Sequence, residues 1–79
     1  MSVPLQEDEH EALLELAVVG PVQSGRFEHP SVTEATERRL LQAGFTRLEA
    51  GAFALTPKGA QTIRRDSAFR THCFRVING

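Results

Sequence analysis

The chain begins with an acidic stretch that is followed by an apolar one. Residues 7–11 carry four acidic side chains, and the next eight residues include seven apolar ones. Because carboxylates are favourable beside the positive end of a helix dipole, this order predicts a helix from Glu7 to Val19. Gly20 and Pro21 end it, since glycine accepts the left-handed conformation at a helix end and proline cannot continue the hydrogen-bond ladder.

The stretch from Pro21 to Pro30 is less regular. Gly25 weakens any long element there, while Phe27 requires burial, so the pattern leaves open a short helix from Pro21 to Phe27. The first six residues show no periodicity, and residues 1–6 are predicted to form a flexible arm.

A helix-start motif follows at Ser31, with Glu34 three residues later. In such a capping box the Ser31 hydroxyl binds a free amide and Glu34 reaches back to the Ser31 amide, which predicts a helix from Val32 to Ala43. Its packing face has helical spacing and comprises Val32, Thr36, Leu40 and Ala43, with Ala35 beside them. A second face is predicted to meet solvent or a partner and comprises Glu34, Glu37, Arg38 and Gln42.

Two short runs around a glycine-containing turn come next. Gly44 ends the second helix, and the runs 45–49 and 52–55 are separated by Ala50-Gly51. Strand-forming segments on either side of a two-residue turn predict a β-hairpin.

Thr56 and Pro57 start a third helix, because a threonine N-cap followed by proline at the first helical position suits a helix beginning. This helix is predicted to extend to about Asp66, and residues 67–79 are left open as strand or helix. The predicted fold class is therefore α+β, with three helices and a two-stranded β-hairpin.

Composition narrows the class of protein. A chain of 79 residues fits a single domain, taken here as residues 7–79. A domain of this size buries only about 60% of its unfolded surface, which leaves little room for a substrate cleft, so we expect no enzyme and no cofactor. The single Cys73 indicates the reducing cytoplasm. No apolar run approaches the roughly 20 residues that span a bilayer, so no membrane partner is expected.

The formal charge of −1 conceals an uneven distribution. Residues 1–25 contain five acidic residues and no Lys or Arg, whereas residues 26–79 have a net charge of +4. This asymmetry raises the question of what the basic part contacts.

Three clusters of side chains are candidates for chemical sites. Adjacent His72 and Cys73 lack the ligand spacing of a zinc site, so no metal is expected. The acidic residues 7–11 are typical of a solvated first helical turn. Arg64 and Arg65 fit either a phosphate contact or the cations that favour a helix C-terminus.

The stretch from the second helix to the third resembles the wing region of winged helix-turn-helix proteins, especially regulators of the multiple-antibiotic-resistance type. Those proteins often show a recognition helix ending in Leu-x-x-x-Gly-Leu, a hairpin wing and a strand running into Leu-Thr-x-x-Gly. The matching positions here are Leu40, Gly44, Phe45, Leu55, Thr56 and Gly59. The resemblance covers residues 31–65.

This resemblance implies a small winged-helix-like domain that acts as a DNA-binding transcriptional regulator of bacterial or phage type and recognises double-stranded DNA. Because one short helix gives little groove contact, we expect a homodimer. The helix from Val32 to Ala43 would then lie in the major groove. The residues expected to contact nucleic acid are Ser31, Thr33, Arg38 and Gln42 on that helix, Arg47 in the wing and Lys58 at the start of the third helix.

Three departures from the family keep a second interpretation open. The segment for the family's second helix is short and contains Gly25, the wing tip carries no cation, and Glu34 and Glu37 place negative charge on the presented helix. The alternative is a winged-helix-like module that binds another protein through Glu34 and Glu37, the acidic first helix or the hairpin edge.

Overall fold

A computed structural model describes residues 5–65. The elements in chain order are α1 (Glu7–Val19), β1 (Val22–Gln23), α2 (Glu34–Gln42), β2 (Thr46–Glu49), β3 (Ala52–Leu55) and α3 (Pro57–Arg65). The strands form one antiparallel sheet in the order β1-β3-β2. The described chain is thus a small α+β domain compatible with a winged-helix-like fold, which confirms the predicted fold class. The predictions for residues 1–4 and 66–79 lie outside the described residues.

Helix α1 has the predicted bounds. At its start the Glu9 carboxylate accepts a hydrogen bond of 3.0 Å from the Gln6 amide. At its end Gly20 has φ +103° and donates its amide to the Leu16 carbonyl at 3.1 Å. Leu5, before the helix, packs against the core.

The segment after α1 forms a strand and not the short helix considered for Pro21–Phe27. Val22 and Gln23 pair with Phe53 and Ala52 of β3, and this pairing buries Val22 in the core. Gly25 has φ +78°, which a right-handed helix does not accommodate. The pairing partner lies 30 residues away, so local sequence does not reveal it.

Helix α2 begins two residues later than predicted, because Thr33 caps it in place of Ser31. The Thr33 side chain accepts the Thr36 amide at 3.4 Å, and the Thr33 amide donates to the Thr36 hydroxyl at 3.1 Å. The hydroxyl of Ser31 lies instead 2.6 Å from Nδ1 of His29. Thr33 and Thr36 thus form the kind of capping box that was predicted for Ser31 and Glu34, but two residues further along the chain.

Helix α2 ends at a glycine, as predicted. Gly44 has φ +80°, the Phe45 amide donates to the Leu40 carbonyl at 3.0 Å, and the Gly44 amide donates to the Leu41 carbonyl at 3.1 Å. These two bonds form the Schellman arrangement, which turns the chain directly into β2.

The hairpin has the predicted two-residue turn. Thr46 pairs with Leu55 and Leu48 with Phe53, and Ala50 and Gly51 both have positive φ, at 53° and 82°. Two consecutive positive φ angles are typical of the type I′ turn, whose twist matches that of the strands.

Helix α3 begins as predicted, with the Gly59 amide donating to the Thr56 hydroxyl at 3.1 Å. The Thr56 hydroxyl in turn donates to the Gly44 carbonyl at 2.6 Å, which fixes the start of α3 against the end of α2. The helices and the sheet enclose one core, made of Ala12, Leu13, Leu16, Val22, Leu40, Phe53 and Ile63.

Candidate interaction surfaces of helices α1 and α2

The connection between β1 and α2 is held without a helix, and Glu37 is its main anchor. Glu37 was predicted to face solvent or a protein partner, but it is only 4% exposed. Its carboxylate accepts the Ser24 hydroxyl at 2.7 Å and the Gly25 amide at 2.9 Å. The expectation that Glu37 meets solvent or a partner is therefore wrong, because this residue binds the turn that follows β1. One signal was present: Glu37 stands three residues before the core residue Leu40, on the same side of the helix.

Two further contacts fix the same connection. The Phe27 ring lies 6.3 Å from that of Phe53, centroid to centroid, and the Glu28 amide donates to the Glu15 carboxylate at 2.9 Å. Residues 24–33 therefore follow a defined non-helical path between α1 and α2. Residues 24–33 contain no helix, so α2 follows α1 without the second helix that the resemblance to winged-helix proteins implies.

The outward face of α2 presents acid and base together. The Glu34 and Arg38 side chains are 84% and 68% exposed, and their charged atoms lie 3.7 Å apart. Gln42 is exposed one turn further along. The one cation that was predicted to contact nucleic acid from this helix is thus matched by a neighbouring carboxylate.

The other arginine of α2 joins the helix to α1. The Arg39 guanidinium contacts the Asp8 carboxylate, and its Nε atom lies 3.6 Å from Glu9. The buried Thr36 hydroxyl donates to the same Asp8 oxygen at 2.7 Å. Arg39 therefore serves the packing of α1 on α2.

The pKa of Asp8 reflects this site. Burial alone raises the pKa of a carboxyl group. In Asp8 the hydrogen bond from Thr36, the backbone amides of residues 8 and 9 and the charge of Arg39 outweigh that effect, and the pKa lies below its ordinary value of 3.8. The Asp8 carboxylate is consequently stabilised in its charged form.

The two cations predicted beyond α2 also have internal partners. Arg47 in β2 lies 2.8 Å from the Glu49 carboxylate on the same strand. The Lys58 ammonium donates to the Ala43 carbonyl at 2.8 Å and lies 5.3 Å from the centroid of the Phe45 ring. Lys58 thus caps the C-terminal end of α2, where a positive charge complements the helix dipole.

The predicted nucleic-acid residues are only partly brought together. Four of them lie on α2 or directly before it: Ser31, Thr33, Arg38 and Gln42. Of these, Ser31 and Thr33 are engaged in local hydrogen bonds, and Arg38 and Gln42 are exposed.

A second surface lies on α1, the acidic helix that the sequence named as one alternative protein contact, but its apolar groove was not predicted. Val18 and Val19 are 72% and 70% exposed at the end of α1. They border an open groove of about 410 Å³ between α1 and the 28–30 segment, lined by Glu11, Leu14, Glu15, Val18, Val19, Glu28, His29 and Pro30. We call it the α1 groove. The apolar run that predicted α1 contains Leu14, Val18 and Val19, but their outward position depends on which face packs inside.

No protein-family model, curated protein sequence or solved structure matches this chain. Within residues 5–65, no three His, Cys, Asp or Glu side chains are grouped as metal ligands, and His72 and Cys73 lie outside that range. None of the helices in the described residues is long and apolar enough to cross a bilayer.

Proposed function

We propose that this protein is a non-enzymatic protein-binding module built on a winged-helix-like scaffold. The observation that carries the proposal is the internal pairing of the cations that a DNA-binding winged helix would present. Arg38 is paired with Glu34, Arg47 with Glu49, and Lys58 with the Ala43 carbonyl. The single cysteine supports a reducing compartment, and we place the protein in the cytoplasm.

Electrostatics favours a protein partner over DNA for this surface. Affinity for duplex DNA arises largely from Lys and Arg charges that displace counterions from phosphates. A carboxylate beside each arginine reduces that term, and the fully presented Glu34 opposes the approach of phosphate. The same mixed surface suits a protein interface, where polar and charged groups of both signs surround apolar contacts.

The test is the capture of a partner by the immobilised full-length chain, with and without nuclease treatment. We expect a stoichiometric protein to remain bound to the unmodified chain after nuclease treatment. Gln61→Lys is a control and should bind equally, because Gln61 is exposed on α3 and belongs to neither α2 nor the hairpin. Loss of the bound protein on nuclease treatment would contradict the proposal.

DNA binding by α2 is the second candidate, and one observation favours it. Arg38 and Gln42 are both exposed on α2, the helix to which the resemblance assigns the recognition role. If α2 enters the major groove, a double Arg38→Ala/Arg47→Ala variant should lose affinity and show a shallower salt dependence than the unmodified chain. Equal binding of both proteins to duplex DNA, or no binding by either, would eliminate this candidate.

A further inference from the structure

We propose that the α1 groove is the docking site for a basic amphipathic helix of a partner protein. This inference rests on the proposed function, since it names the surface and the class of partner that a protein-binding module would use. The α1 groove is a different surface from the α2 face that the sequence predicted to contact nucleic acid or a protein.

The first argument is the spacing of the groove residues on α1. Glu11, Leu14, Glu15, Val18 and Val19 lie at positions i, i+3, i+4, i+7 and i+8 of α1. Residues at this spacing form one stripe along a helix, of the kind that receives a second helix. The stripe is separate from the buried face of α1, which consists of His10, Ala12, Leu13 and Leu16.

The second argument is the apolar area that the domain leaves uncovered. Leu14 and Pro30 lie in the same groove as the largely exposed Val18 and Val19. A contiguous exposed apolar patch with a polar rim is typical of an interaction site. A second depression of about 310 Å³ extends it beyond Val19 and shares Glu15, Val19 and Glu28 with it.

The third argument is the charge of the rim, which selects the occupant. Glu11, Glu15 and Glu28 line the groove. Nδ1 of His10 lies 3.7 Å from the Glu11 carboxylate, and in the part of the chain that the structure describes no Lys or Arg forms an ion pair with any of the three. One oxygen of the Glu15 carboxylate accepts the Glu28 amide at 2.9 Å. Arg26 lies only in the adjoining depression. An apolar floor with three carboxylates at its rim matches a helix that carries apolar residues on one face and Lys or Arg beside them.

The same charges disfavour a second copy of this chain as the occupant. In a twofold-symmetric contact the same patch meets itself. Both protomers would then bring the same carboxylates, Glu11 and Glu15, to one apolar contact. Like charges held together in an interface are destabilising, so a basic partner is favoured over self-association.

The experiment uses the isotope-labelled full-length chain and records amide shifts during titration with a synthetic amphipathic helix of Leu and Lys. The control peptide has the same Leu positions with Glu in place of Lys. We expect the basic peptide to shift amides of residues 11–19 and 28–30, with weaker affinity at higher salt, and the acidic peptide to leave them unchanged.

Variants of the full-length chain locate the site. Val18→Lys should weaken binding of the basic peptide by about tenfold or more, because it adds a like charge and removes an apolar contact. Leu48→Lys is the matched control, since it adds the same charge to an exposed apolar residue on the hairpin and should leave binding unchanged. The double variant Glu11→Gln/Glu28→Gln should weaken binding and reduce its salt dependence, whereas Glu34→Gln should do neither.

Several outcomes would overturn the inference. Equal binding of both peptides would mean nonspecific apolar adhesion, and shifts confined to α2 and the hairpin would place the interface elsewhere. A dimer of the chain that Val18→Lys converts to monomer would identify a second copy as the occupant. A gain of about tenfold in peptide affinity on Phe69→Ser/Phe74→Ser would identify residues 66–79 as the occupant.

The failure of this inference and the failure of the proposed function are distinguishable. If a nuclease-resistant partner binds Val18→Lys as well as the unmodified chain, the function holds and the groove is not its site. If no protein partner binds and the chain binds duplex DNA through Arg38, the function itself fails, whatever the peptide does.

Discussion

Glu37 connects two segments that are far apart in the sequence, the turn after β1 and the middle of α2. Its carboxylate accepts one hydroxyl and one amide hydrogen bond while almost fully buried. Hydrogen bonds to a charged group contribute about 1.5–3 kcal/mol. This residue therefore supplies much of what a second helix would supply in a complete helix-turn-helix, namely a fixed position for the chain between β1 and α2.

Replacement of Glu37 tests this role. Glu37→Ala leaves the Ser24 hydroxyl and the Gly25 amide without their acceptor, and should lower the free energy of unfolding by about 2–3 kcal/mol in urea titration. Glu34→Ala, one turn earlier and exposed, is the matched control and should change stability by less than about 0.5 kcal/mol. Equal effects of the two substitutions would show that Glu37 has no special structural role.

Asp8 gives the fold a dependence on acid pH. Since the pKa of Asp8 is lower in the folded chain than its ordinary value of 3.8, its contribution is complete well above that value and is lost as the pH falls through the folded pKa. Unfolding measured by circular dichroism should show a decline in stability below about pH 5, and Asp8→Asn should flatten it. Glu7→Gln, at an exposed site, should leave the decline unchanged. An identical decline in Asp8→Asn and the unmodified chain would refute this assignment.

Gly59 is required by a close approach of two backbone segments. A Cβ atom at this position would lie 2.1 Å from the Phe45 carbonyl oxygen, which belongs to the backbone and is bonded to the Thr56 amide. Gly59→Ala should therefore destabilise the domain by about 1–3 kcal/mol or more, although alanine is the better helix former. Gln61→Ala in the same helix should be near neutral. A stabilised Gly59→Ala variant would contradict the contact.

At the level of elements, the sequence predicted those whose signals are local. Helix α1, the end of α2 at Gly44, the hairpin and the start of α3 at Pro57 were all placed by caps, glycines and prolines within a few residues of each boundary. Strand β1 and the path of residues 24–33 were not predicted. Strand β1 depends on its pairing with β3, and the path of residues 24–33 depends on the hydrogen bonds of Glu37.

The candidate site shows the same division. The exposure of Arg38 and Gln42 follows from helical periodicity. The partners of Lys58 and Arg39 cannot be predicted from helical periodicity, since they lie 15 and 31 residues away in the sequence. The α1 groove also could not be predicted, because an apolar run does not reveal which of its residues the sheet and the other helices leave uncovered.

The hairpin turn contains an improvable position. Ala50 has φ +53°. This left-handed conformation is unfavourable for a residue with a Cβ atom, and asparagine adopts it more readily than alanine. Ala50→Asn creates the Asn-Gly pair favoured in type I′ turns, and should stabilise the domain by about 0.5–1 kcal/mol in thermal unfolding. Gln23→Asn, at an exposed strand position, is the control and should give no gain. A lower melting temperature for Ala50→Asn would show that the turn is not of this type.

At the scale of the whole molecule, charge is distributed in a way that opposes a DNA-binding role. Residues 5–65 contain nine acidic and seven basic side chains. Four of those basic residues, Arg38, Arg39, Arg47 and Lys58, are held by carboxylates or a carbonyl of the same chain. Arg64 and Arg65 stand in the last turn of α3, where cations complement the helix dipole. Within residues 5–65, the three arginines of α2 and the hairpin are therefore matched by three glutamates of the same elements.

The most direct test of this account is a fluorescence-anisotropy titration of labelled mixed-sequence duplex DNA with the full-length chain, between about 50 and 200 mM salt. The account predicts no saturable binding at either salt concentration, in the unmodified chain and in Arg38→Ala alike. Saturable binding that falls steeply with salt and is lost in Arg38→Ala would contradict it, and would assign α2 to the DNA groove.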